Sequence, residues 1–182
     1  MLDVVVTTGA DPAELRAATA AVDALTDRLA GSVIQADMSV TEESYRSHMS
    51  LVGGLSHPVA PQLALDVQGD RASGEVVLGP VFQGGPGLVH GGIIALLIDH
   101  AMGCVAAGPD RPAMTVRLEL RYRRPTPLGV PLTVSVALDR VEGRQLHLSA
   151  SIAARGEITV EAEAIFLTLT PRNLASVFGG TG

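Results

Sequence analysis

Gly87-Leu-Val-His90-Gly91-Gly92-Ile-Ile-Ala-Leu-Leu-Ile-Asp99-His100-Ala-Met-Gly103 is the stretch on which the fold turns. Gly84, Gly85, Pro86 and Gly87 lead into it, a run too rich in turn formers to be regular structure. From Gly91 onward the residues suit a helix that is apolar on nearly every side, with Asp99 and His100 the exceptions. Such a helix has to be enclosed, because it has no polar face to offer water. What encloses it reads outward from the same segment. Upstream, Leu63, Leu65 and Val67 alternate with Ala64, Asp66 and Gln68, and Gly69-Asp70 then turns the chain into a second run over 72–79. Downstream, four runs place apolar residues at even positions: Val116, Leu118, Leu120 and Tyr122; Leu132, Val134, Val136 and Leu138; Leu146, Leu148, Ala150 and Ile152; Val160, Ala162, Ala164 and Phe166. A period of two means strands with one buried face each. Pro125-Thr-Pro127-Leu-Gly129, Glu142-Gly143 and Arg155-Gly156 separate these runs at the short intervals of antiparallel neighbours. The expected class is α+β, a curved antiparallel sheet of about six strands wrapped around one long central helix.

That unit should occupy residues 62–171. Residues 1–61 read as an N-terminal helical extension followed by a Gly/Pro-rich loop, and 172–182 as a flexible tail. In the extension, Asp11-Pro12-Ala13-Glu14 combines an N-cap, a proline at the first helical position and an acid at the third. Leu15, Ala18, Val22, Leu25 and Leu29 follow as one apolar stripe and Gly31 is the stop, so this helix is amphipathic and should dock on something. A shorter helical piece is expected from Ser39 to about Met49, and residues 50–61 have the composition of an ordered loop.

Composition narrows the function. Hydrophobic residues make up 47% of the 182 positions and charged ones 18%, the balance of a globular chain with a mainly aliphatic core. A net charge of −6 sets the molecule's field against nucleic acid and anionic membranes. The single cysteine, Cys104, excludes an internal disulfide, and no His/Cys spacing resembles a zinc site, so neither metal nor cofactor is expected. Met1-Leu2-Asp3 has no signal-peptide character, and the apolar run 91–108 is shorter than the roughly 20 residues of a membrane span. A cytoplasmic protein is the expectation.

The chemistry concentrates in the opening segment. The first amides of a helix have no intrahelical acceptor, and glycines let a ligand come close to them. Aided by the helix dipole, such amides can hold a carbonyl oxygen that becomes an oxyanion. Asp99, a carboxylate among Ile93, Ile94, Leu96, Leu97, Ile98, Ala101 and Met102, carries a desolvation cost unless it is paired. An acid in that setting, downstream of a glycine turn, is a candidate catalytic group, and burial should raise its proton affinity.

These residues carry a resemblance. Gly87 through Asp99, together with Thr115 through Tyr122-Arg-Arg-Pro125, resemble the PaaI-like branch of the hotdog-fold acyl-CoA thioesterases, over roughly Gln62 to Thr170. The resemblance implies an enzyme that hydrolyses acyl-CoA to a carboxylate and free CoA. It implies Gly91, second residue of His90-Gly91-Gly92, as the oxyanion amide, Asp99 as general base or nucleophile, and Thr115 as the hydroxyl that positions water or the carboxylate. His90 joins that catalytic set, and Gln83 and Gly92 are candidate substrate contacts. Gln83 stands next to Gly84, where some relatives have an amide side chain, and His100 stands where bacterial relatives often have a second acid. The rival readings are a non-catalytic acyl-thioester binding protein and a hotdog hydratase or dehydratase.

Helix geometry adds a constraint. Asp99 lies eight residues past Gly91, roughly 12 Å along one axis at about 1.5 Å per residue. No side chain spans that gap, so if both act on one thioester the carboxylate comes from a second subunit, and a two-fold homodimer with sites at the subunit interface is expected, with a dimer of dimers as an alternative assembly. Arg117, Arg121, Arg123 and Arg124 form a basic patch over 114–124, and Arg123 and Arg124 are candidates for the phosphates of CoA. Strict alternation puts Thr115 on the arginine face, away from the helix, unless a bulge or the dimer seam intervenes. Cys104 reads as a small core residue. His48, His57 and His147 read as structural or exposed, and His57-Pro58 as a border of the acyl pocket.

Overall fold

The computed structural model describes residues 8–31, 50–54, 57–108 and 111–170. The helical piece expected after Ser39, the tail over 172–182 and His48 lie outside these residues.

Helix α1, Pro12–Ala30, begins as its sequence requires. Asp11 Oδ1 accepts the backbone N–H groups of Ala13 at 2.7 Å and Glu14 at 3.0 Å, and Pro12 fills a first-turn position where no donor is needed. The Glu14 and Ala13 N–H groups hold the Asp11 carboxyl below its ordinary range. The docking expectation is not met within the described chain. No residue of α1 is buried, and Leu29 at the end of the stripe is 69% exposed. Periodicity identifies which face of a helix is apolar, not what covers it.

The strands are β1 (Ala64–Gln68), β2 (Arg71–Val77), β3 (Ala113–Tyr122), β4 (Pro131–Glu142), β5 (Gln145–Ala154) and β6 (Glu157–Thr168). They form one antiparallel sheet in the order β1-β2-β4-β5-β6-β3. Tight two-residue links join β1 to β2, β4 to β5 and β5 to β6. In the last, Arg155 and Gly156 both take positive φ, the turn that matches the strand twist. The link after β3 corrects the expectation of neighbours in sequence order. β3 pairs with β6 at the far edge, so the segment from Arg123 to Val130 is a crossover rather than a hairpin. Its backbone bonds go to the glycine turn and to β2's exit. Thr126 O accepts Val89 N–H at 2.9 Å, Leu128 N–H donates to Gly87 O at 3.0 Å and Gly129 N–H to Leu78 O at 2.9 Å. Two prolines, which cannot donate to a ladder, suit a connection of this kind.

Helix α2, Gly91–Ala106, lies on one face of the sheet. Ile94, Leu97, Ile98, Ala101, Met102, Val105 and Ala106 are buried in one core with Leu132, Val134, Leu146, Leu148, Ile152, Val160 and Phe166. The even-position pattern holds for β4, β5 and β6, giving the expected hotdog arrangement of sheet and helix. Enclosure is one-sided, however. Ala95, Leu96, Asp99, His100, Gly103 and Cys104 are only half-buried. At the carbonyl end of α2, Arg111 donates to Ala106 O and Val105 O, each at 3.0 Å, placing a cation where the helix dipole favours one. None of the described helices is long and apolar enough to cross a membrane.

Candidate active site

The open face of α2 borders a cleft of about 500 Å³ lined by Leu96, Asp99, His100, Met114, Thr115 and Phe166, with Ser50, Leu51 and Val52 closing one side. Asp99 is half-buried there rather than sealed in the core. Thr115 Oγ1 donates to Asp99 Oδ1 at 2.8 Å. A hydrogen bond to an ionised group contributes about 1.5–3 kcal/mol, enough to fix the carboxylate's rotamer. Among the described residues nothing donates to Oδ2.

The conflict between Thr115 and strict alternation is settled by a bulge. Thr115 pairs with Phe166 and Arg117 with Ile165, so Val116 is an extra residue opposite no partner. One added residue shifts the phase of the strand by half a period. Thr115 therefore shares the helix-facing side with Leu118 and Leu120, while Val116, expected inside, is 57% exposed.

The glycine turn is built as tightly. The N–H of Gly84 donates to Leu88 O and that of His90 to Phe82 O, both at 2.9 Å. A Cβ on Gly84 would stand 2.8 Å from His90 Cα, closer than real side chains come, so this position requires glycine. His90 is the N-cap of α2, its Nδ1 accepting Gly92 N–H at 3.0 Å. In the neutral ring that bond places the proton on Nε2, with Nδ1 and the Gly92 amide both engaged in the cap. Gly91 N–H is left without an acceptor among the described residues. Gln83 Oε1 accepts Gly87 N–H at 3.1 Å, so this side chain braces the turn through its oxygen.

Sequence reasoning missed Tyr122 as more than an apolar strand residue. Its hydroxyl donates to Gly91 O at 2.9 Å. No signal within the strand marked it, because an apolar register does not reveal what a tyrosine hydroxyl reaches. Also missed was the stretch 50–52, which borders the cleft where His57-Pro58 had been expected.

The basic patch dissolves into pairs. Arg117 bonds Glu119 at 2.6 Å and Arg123 bonds Glu161 at 2.7 Å; Arg121 and Arg124 face Glu119 and Glu157. Arg117, and then Arg121, hold the Glu119 carboxyl below its ordinary range. These carboxylates come partly from the neighbouring strand, so a count along β3 alone overstates the positive charge. His100 Nε2 lies 3.7 Å from Cys104 Sγ, one turn along α2. Cys104 itself is half-buried on the cleft wall, not a core residue. His147 Nε2 comes within 3.4 Å of Glu142 Oε2 but without hydrogen-bond alignment, and it and His57 Nδ1 are enclosed with no hydrogen-bond partner among the described residues.

A family model described as the thioesterase superfamily matches residues 86–163, from the glycine turn into β6. The acyl-coenzyme A thioesterase THEM4 of Bos taurus is 40% identical over 95 residues, which is 51% of this chain and 39% of that protein. The chain thus spans well under half the length of this curated relative. Among solved structures, a thioesterase superfamily protein is 30% identical with a TM-score of 0.80, covering 91% of this chain and 89% of that one. The E. coli PaaI protein of the phenylacetic acid degradation operon shares the fold at 13% identity, with a TM-score of 0.57 over 60% of this chain and 81% of its own.

Proposed function

The chain belongs to the thioesterase superfamily, and from that premise we propose that it hydrolyses acyl-CoA to a carboxylate and free CoA, with Asp99 as the reacting carboxylate. The observation that carries this is the Thr115–Asp99 hydrogen bond inside a cleft with apolar walls. Thr115 anchors Oδ1 and leaves Oδ2 without a donor among the described residues, so that it can take a proton from water as the water attacks the thioester carbon. The oxyanion formed is held by the Gly91 amide, and its collapse expels the CoA thiolate, which recovers the proton from Asp99. In the covalent alternative Oδ2 attacks the carbonyl and the C–S bond breaks to expel the CoA thiolate, and water then cleaves the mixed anhydride to the carboxylic acid and the Asp99 carboxylate, the proton released passing to the thiolate. Single-turnover hydrolysis in heavy-oxygen water separates the two, because only the covalent route leaves label in Asp99.

The roughly 12 Å between Gly91 and Asp99 along α2 supports a composite site, each homodimer joining the Asp99 of one subunit to the Gly91 of the other. Mixing Asp99→Asn subunits with Gly91→Val subunits, each inactive alone, is expected to restore partial activity; no recovery refutes the shared site. Valine at 91 is a sound disruptor, since a Cβ there already stands 3.4 Å from the Tyr122 hydroxyl. Arg123 and Arg124 remain proposed contacts for the CoA phosphates, which would have to draw them from Glu161 and Glu157. Exposed pairs of this kind are weak enough to exchange. Alanine at both should raise KM for acyl-CoA with kcat unchanged, and an unchanged KM removes them from the site. The overall test is thiol release from short, branched, aromatic and long acyl-CoA by wild type and Asp99→Asn. Binding of these thioesters without release by wild type would favour the non-catalytic binding reading.

A further inference from the structure

Two hydrogen bonds at the start of α2 act on a single peptide unit. Gly91 O accepts the Tyr122 hydroxyl at 2.9 Å, and Gly92 N–H donates to His90 Nδ1 at 3.0 Å. Those two atoms belong to the same planar amide, so holding both fixes its orientation. On the other side of Gly91, the preceding residue is tied through His90 N–H to Phe82 O at 2.9 Å. Between these anchors lies the His90–Gly91 peptide, which carries the Gly91 N–H and whose carbonyl accepts Ile93 N–H at 2.9 Å and Ile94 N–H at 3.2 Å. Two glycines in succession have more backbone freedom than any other pair, and a first helical turn is where helices fray. A Cβ at 91 would meet the Tyr122 ring in ordinary contact at 3.4–3.7 Å, and one at 92 would stand more tightly, 3.2 Å from His90 Nδ1.

The geometry points to Tyr122 as a positioning residue for the Gly91 amide, one that steadies the donor by fixing the peptide that follows it and does not touch the reacting atoms. This rests on the reading above, in which Gly91 holds the oxyanion. A donor of that kind accelerates reaction only when it is already aimed, because reorganisation during the reaction cancels its electrostatic benefit. Tyr122 supplies the aim from β3, the strand that also carries Thr115. One strand therefore holds both the carboxylate and the turn.

The test is Tyr122→Phe, which keeps the ring and removes the hydroxyl. Thiol release from hexanoyl-CoA, benzoyl-CoA and palmitoyl-CoA is measured beside amide hydrogen exchange at Gly92. The expected result is a fall of about tenfold in kcat with KM within about twofold, and exchange several-fold faster at Gly92 as its amide plane loosens. Wild-type exchange at Gly92 overturns the clamp whether or not any substrate is turned over. Faster exchange with an unchanged kcat overturns the positioning role. Should Asp99→Asn release thiol as fast as wild type, the reading of the site fails, and exchange at Gly92 still judges the clamp.

Discussion

The two ends of the proposed chemistry on α2 are held in opposite ways. At the amino end the chain closes on itself: His90, Tyr122, Phe82 and the crossover through Thr126 and Leu128 all bond to the turn. Two turns further on, Asp99 is held by one bond from Thr115 and faces a cleft open to the outside. The difference follows from the demands on each group. A backbone donor has no rotamers of its own and has to be aimed by its surroundings, whereas a carboxylate needs one fixed oxygen and one free to meet the substrate.

The contrast predicts a ranking of effects. Replacing Asp99 by Asn should lower kcat by about a thousandfold while the melting temperature stays close to wild type, since the group serves chemistry more than packing. Comparable losses in kcat and in thermal stability would make Asp99 structural. Thr115→Val, which preserves shape and removes the hydroxyl, should cost about tenfold in kcat, the equivalent of a hydrogen bond of about 1.4 kcal/mol. No loss would show that the carboxylate is aimed by something else. At the closed end His90→Asn should keep most activity, because asparagine also caps a helix, whereas His90→Ala should destabilise by about 1 kcal/mol and reduce kcat a few-fold. Equal loss in both variants would assign His90 a role that only imidazole can fill. The smallest effect belongs to a region outside the comparison. Asp11 has its carboxyl lowered by the Glu14 and Ala13 amides, so its stabilisation of α1 is present above the unfolded carboxyl range and is lost as pH falls through the lowered value. Acidification should lower the protection of the Ala13 and Glu14 amides, relative to their intrinsic exchange rates at the same pH, before it affects α2, and Asp11→Ala should leave thiol release unchanged.

Local rules carried much of the fold. The cap at Asp11, the helix start at His90 and the even-numbered core of β4 to β6 depend on neighbours within a few residues, and all are readable in the sequence. Sheet order is not a local property. Pro125 to Gly129 has the composition of a hairpin turn, yet only the pairing of β3 with β6 reveals it as a crossover. The same distance hides the partners of Arg123 and Arg124, which sit on β6. In the site, the pairing of Asp99 with Thr115 was implied by resemblance, while Tyr122 was not, because a strand tyrosine in an apolar register gives no sign that its hydroxyl reaches a helix 31 residues earlier. The missing partner of α1 belongs to the same class.

The extra residue in β3 has a last consequence. Because Val116 faces no partner across the ladder, its removal should leave Thr115 and Leu118 in step on the same side, whereas deletion of Leu118 or Leu120 would turn the rest of the strand over. Side chains on a strand are thus read in a frame of two, and β3 contains a spacer at which that frame can lose one letter without changing its meaning.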